Sequence, residues 1–91
     1  MALSEWNIEL KSAKLPEKPQ AAFKAVTESL VGAKYEPVLY IGHQPVNGIN
    51  YCIMAIEKPI TLKPRPRLVI MQIHESLEGK FKLLSIRGLL L

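Results

Sequence analysis

The stretch Tyr35-Glu36-Pro37-Val38-Leu39-Tyr40-Ile41-Gly42-His43-Gln44-Pro45-Val46-Asn47-Gly48-Ile49-Asn50-Tyr51-Cys52-Ile53-Met54-Ala55-Ile56 decides the fold. Two runs rich in β-branched and aromatic residues, Tyr35 to His43 and Ile49 to Ile56, flank Gln44 to Gly48. Such runs suit a pleated, half-buried surface, and Asn-Gly between them signals a hairpin because both residues tolerate positive φ. Alternation outward from the turn sends Val38, Tyr40, Tyr51 and Ile53 to one face, and Leu39, Ile41, Cys52, Met54 and Ile56 to the other.

Upstream of the hairpin, Leu15-Pro16-Glu17-Lys18-Pro19-Gln20 has two prolines suited to a first helical turn and an acid at the positive dipole end. Ala22, Phe23, Val26 and Leu30 then recur at three- and four-residue steps before Gly32, so a helix of about four turns is expected from about Pro16 to Val31. Before it, Trp6, Ile8 and Leu10 alternate with polar residues over Ser4 to Leu10, the pattern of a short first strand with Trp6 as an edge-strand core residue. Downstream, the prolines of Lys58-Pro59 and Lys63-Pro64-Arg65-Pro66-Arg67 mark a connection. Leu68 to His74 is a further strand, with Val69, Met71 and Ile73 facing the helix and Ile70 facing outward. Glu75 to Gly79 is a turn, and Phe81 to Leu91 is a last strand with Gly88 as a bulge.

One amphipathic helix with an antiparallel meander predicts an α+β fold, an N-terminal helix wrapped by a sheet of four to five strands. Ninety-one residues suffice for one domain, residues 1–91, and not for two with separate cores. Cys52 is the single cysteine, so no intrachain disulfide can form. Twelve Lys and Arg against eight Glu give a net charge of +4, and the lack of any Asp removes Ser-His-Asp triads and the usual calcium loop. No apolar run reaches the roughly 18 to 20 residues that span a bilayer, and no signal-like segment opens the chain. The expectation is a cytoplasmic protein with no membrane partner.

Gln44-Pro45-Val46-Asn47-Gly48 fits the Q-x-V-x-G hairpin motif of cystatins, the protein inhibitors of papain-like cysteine proteases. Ile49-Asn50-Tyr51-Cys52-Ile53 is similar to the T-N-Y-x-I run that follows it, and Ser76-Leu77-Glu78-Gly79 looks like the S-L-P-G second loop of the disulfide-free stefins. The chain thus resembles the cystatin family, stefins most closely, in a register that extends over most of its length. The resemblance implies a cystatin-like fold and reversible, tight-binding inhibition. In that mechanism an N-terminal trunk and two hairpin loops form a wedge that occludes a papain-like protease cleft. On the matching positions, Gln44, Pro45, Val46, Asn47 and Gly48 form the first loop and Leu77, Glu78 and Gly79 the second. Physically, a preorganised tight turn gives up little entropy on docking, so Pro45 and Val46 can add to affinity. The departures are specific. No glycine precedes Gly32, whereas inhibitory members have one in the trunk, near where Trp6 lies here. Glu78 replaces proline, the histidine or tryptophan that often assists there is missing, and Gly42 looks like one extra, bulge-forming residue. Inhibition is accordingly expected to be weak.

The remaining residue types point elsewhere than to catalysis. His43 and His74 lie on different strands with no second ligand at metal spacing, and no cofactor is expected. Cys52 has no readable base beside it and is expected to be an inert strand thiol, and the scattered Glu residues offer no acid–base pair, so the chain is not expected to be an enzyme. Lys58 to Arg67 has no interleaved aromatics, so no specific nucleic-acid partner is expected. The outward residues Leu39, Ile41, Cys52, Met54, Ile56 and Ile70 instead require a cover. This leaves a second class of function open, a non-inhibitory binding or self-assembly module on a cystatin-like fold. Its homodimer would be face to face, or domain-swapped through the first hairpin.

Overall fold

The computed structural model describes residues 5–12 and 14–89. Strands β1 (Asn7–Ser12), β2 (Ala33–Val46), β3 (Gly48–Pro59), β4 (Arg67–Glu75) and β5 (Phe81–Gly88) form one antiparallel sheet in chain order, and helix α1 (Glu17–Thr27) joins β1 to β2. The helix packs against β2 to β5. Its stripe Ala22, Phe23 and Val26, with Leu15 before it, meets Tyr40, Tyr51, Ile53, Ala55, Val69, Met71 and Ile73 in the buried core. Phe23 is 6% exposed, and burying such a side chain contributes about 1.5–3 kcal/mol.

Helix α1 stops a turn earlier than the expected Val31, because hydroxyls offer its last carbonyls other donors. Thr27 Oγ1 donates to the Phe23 carbonyl at 2.7 Å and Ser29 Oγ to that of Val26 at 2.9 Å, while Leu30 N closes a tighter bond to Thr27 O at 3.1 Å. Gly32, at φ +89°, turns the chain into β2, and its carbonyl accepts from Ile60 N at 2.9 Å.

Several expectations at the strands need correction. The first strand begins at Asn7, with Glu5 and Trp6 outside it and Ser4 beyond the described residues, and its alternating apolar residues face solvent: Ile8 and Leu10 are each 60% exposed. Trp6 is half-buried outside the core cluster. The register shifts between Ile8 and Lys11, and Leu10 takes φ +50°, so simple alternation does not hold along this edge. In β2 the register shifts twice. Val38 falls between the pairs Pro37↔Ala55 and Leu39↔Met54 and is half-buried outside the core. Ile41, not Gly42, is the unpaired residue of the second shift. Gly42 itself is buried where β1 crosses, and a Cβ there would collide with the Asn7 carbonyl oxygen. Glu75 still belongs to β4, so the turn spans 76–80. In β5 the irregularity lies at Leu84, between the pairs Ile73↔Leu83 and Gln72↔Ser85, whereas Gly88 pairs regularly with Val69 and ends the strand. The expected continuation through Leu90 and Leu91 lies outside the described residues.

Candidate functional site

Antiparallel pairing in chain order brings three separate segments to one end of the sheet. Strand β2 arrives there at Val46 and β3 leaves at Gly48. Ile49 pairs with Glu75, which places the end of β4 alongside, and Glu75 pairs with Phe81 across the next turn. Strand β1 starts at the same end, with Asn7 opposite His43. The start of β1, the loop at Gln44 to Gly48 and the turn at Ser76 to Lys80 therefore share an edge. Every residue singled out from the sequence for the two loops lies on it.

The first loop is tighter than a two-residue turn. Val46 is directly opposite Gly48, so Asn47 alone occupies the apex, and the positive φ belongs to Gly48 (+112°) and not to Asn47. A Cβ at Gly48 would collide with the Glu75 carbonyl oxygen and come within 2.9 Å of the His74 ring. The base of the first hairpin thus rests on the end of β4, and only glycine fits. Beyond that contact Pro45, Val46 (41%) and Asn47 are exposed.

In the second loop Leu77 is 77% exposed, and Glu78 and Gly79 are also exposed. Its shape comes from Ser76, whose N–H donates to Lys80 O at 2.8 Å, whose carbonyl accepts from Gly79 N at 2.9 Å and whose hydroxyl accepts from Lys80 N at 3.0 Å. Gly79 supplies φ +83°. The second tip is therefore held by short-range bonds and the first by the close approach of Gly48 to β4, while Val46 and Leu77 stay exposed.

Polar side chains tie these loops to the sheet in a way the motif did not announce. Asn50 Nδ2 donates to Gln44 Oε1 at 3.0 Å, and His74 Nδ1 donates to Asn50 Oδ1 at 2.7 Å, a ladder across β2, β3 and β4 at the hairpin base. Gln44 and Asn50 lie three residues either side of Asn47. A turn centred on Asn47 makes them partners, a signal present in the sequence once the apex is known. On β1, Glu9 Oε2 accepts from His43 Nδ1 at 2.8 Å, and Asn7 Nδ2 donates to His43 Nε2 at 3.3 Å. The spacing of residues 7, 9 and 43 gave no hint of this cluster, because the shift in β1 decides which side chains meet.

Each of the three tyrosines has a glutamate acting on its hydroxyl. Tyr35 donates to Glu57 and Tyr51 to Glu75, both at 2.6 Å, and Glu9 is the carboxylate that acts on Tyr40. Burial, then the carboxylate acceptor, pushes the Tyr35 hydroxyl up to about 12, and those of Tyr40 and Tyr51 well above the usual tyrosine range. The hydrogen bonds from His43 and then Tyr40 hold the Glu9 carboxyl below its ordinary value. Arg67, at 2.6 Å, and then Tyr35 do the same for Glu57. Cys52, expected on the outward face, is buried, and burial raises its thiol pKa. Among the described residues, no three His, Cys or Glu side chains are grouped closely enough to hold a metal ion.

Comparison with protein-family models, with curated proteins and with solved structures finds no match.

Proposed function

We propose that this protein is a reversible inhibitor of papain-like cysteine proteases that inserts the shared edge of its sheet into the active-site cleft. The observation that carries this reading is the convergence of the start of β1, the Gln44 to Gly48 loop and the Ser76 to Lys80 turn at one end, with Val46 and Leu77 exposed on preformed tips. Such an edge occludes substrate by filling space and needs no chemical step. Because the loops are already ordered, docking immobilises few new torsions. Exposed Glu78 brings a charge toward the cleft, which sets the affinity low.

The test is titration of papain with the protein while peptide-substrate turnover is followed. Loss of turnover that Val46→Asp or Leu77→Asp relieves supports the reading. Undiminished turnover at saturating protein rejects it. Gly48→Arg is not a clean probe, because the collision with β4 would alter the fold as well as the contact.

A second reading rests on the face of the sheet away from α1. There Leu39, Met54, Ile56, Leu68 and Ile70 are half-buried in the monomer, with no helix over them. Covering them stabilises at about 25 cal/mol per Å² of apolar area removed from water, before the cost of association. We propose a face-to-face homodimer on this surface, which Met54→Lys or Ile70→Lys should weaken in sedimentation velocity. A swapped dimer would respond instead to changes at Asn47.

A further inference from the structure

An open cleft of about 370 Å³ lies between α1 and β2, apart from the loop tips and from the outward sheet face. Its apolar lining is Leu15, Phe23 and Pro37, and Lys14, Lys24, Gln20 and Thr27 complete it. That volume is at the small end of ligand clefts, which span roughly 300–1,000 Å³. No carboxylate lines it. Among the described residues Lys14 has no carboxylate within ion-pair distance. Lys24 reaches only Glu28, at 3.9 Å, one helical turn along and in water, a pairing that competes weakly with a ligand.

An apolar patch lined also by two exposed lysines suits an anion with a single hydrocarbon tail. We propose that this cleft binds a free, single-chain amphipathic carboxylate, with its tail against Leu15, Phe23 and Pro37 and its head between Lys14 and Lys24. The fit is to one soluble molecule and not to a bilayer, because the apolar lining is concave and has room for one tail. The lysines select the sign of the head group and the lining selects the presence of a tail. The net charge of +4 adds a long-range attraction of the same sign.

The experiment is an amide NMR titration of the whole chain at physiological salt with decanoate below its micelle concentration. Decyltrimethylammonium and acetate serve as charge and tail controls. Decanoate is expected to shift, saturably, the amides of residues 14–27 and the strand around Pro37, while neither control does so. Lys14→Glu combined with Lys24→Glu, both at exposed positions, should weaken decanoate about tenfold and admit the cation. Lys24→Met alone provides a milder test should the double variant fold poorly, and it too should weaken binding. Four results would overturn the proposal: no saturable shift, equal shifts with acetate or with the cation, an affinity indifferent to both lysine variants, or binding only to anionic vesicles. None of them bears on papain inhibition, which uses other residues.

Discussion

Gly48 and Gly79 have the same sign of φ in opposite surroundings, which makes them a matched pair for measuring what close approach costs. Both adopt positive φ, +112° and +83°, so alanine at either pays backbone strain of about 1–3 kcal/mol. At Gly79 the new methyl would meet nothing within 4 Å, and strain is the whole cost. At Gly48 it would strike the Glu75 carbonyl oxygen, which belongs to a paired strand and cannot swing aside as a side-chain tip could. Forcing that displacement adds an overpacking cost of about 1–3 kcal/mol. Gly48→Ala should therefore destabilise by about 2–6 kcal/mol, exceeding Gly79→Ala by at least about 1 kcal/mol. Urea unfolding measures the difference as a shift in midpoint at constant slope. Equal midpoints for the two variants would refute the claim that the first hairpin rests on β4.

Other outcomes follow from the core, the rim and the tips. Phe23→Ala should cost about 3–5 kcal/mol and lower the melting temperature by at least about 12 °C, at 4–8 °C per kcal/mol for a domain this size; a shift of a few degrees in calorimetry would contradict its place in the core. Glu9 and Glu57 have carboxyls held below their ordinary value of 4.5, so their contribution is present above that pH and is lost as pH falls through the depressed folded values. Thermal melts between pH 6 and pH 2 should show that loss, and Glu57→Gln should flatten it. Tyr35 has the opposite sign: its neutral form is favoured in the fold, so its contribution is intact below pH 10 and fades as pH rises toward about 12. Tyr35→Phe should flatten the alkaline limb of stability against pH. Val46→Asp should raise the concentration needed to inhibit papain roughly tenfold or more, by bringing a second charge into the cleft.

The central hairpin was legible because its signals agree. Asn47-Gly48 marks the turn, the flanking runs have β texture, and the helix stripe supplies a partner for Tyr40, Tyr51 and Ile53. Legibility failed where one extra residue breaks the period of two. Nothing in Pro37-Val38-Leu39 or in Glu9-Leu10 announces a shift; Val38, expected to face the helix, is the residue left over by one of them and lies outside the core, while Tyr40 and Leu39 keep the faces expected of them. Ile8 and Leu10, whose alternation with polar residues suits a half-buried strand, lie in water. The helix end was misjudged for another reason: spacing carried the apolar pattern on to Leu30, while the competing hydroxyls of Thr27 and Ser29 act locally and carry no periodicity. For the candidate edge, the sequence located both loops. Their mutual support through Gly48, Asn50 and His74 required the pairing of β3 with β4, a long-range fact.

Because the two tips stand on a common footing, they can be altered independently of what holds them in place. Pro45, Val46 and Asn47 on one side, and Leu77 and Glu78 on the other, are exposed at the end of the sheet, whereas Gly48, Asn50, His74 and Ser76 maintain the spacing beneath them. A combinatorial library confined to those five exposed positions would sample new recognition surfaces on one unchanged frame. Without a disulfide to form, it could be selected in a reducing compartment such as the interior of a bacterial cell.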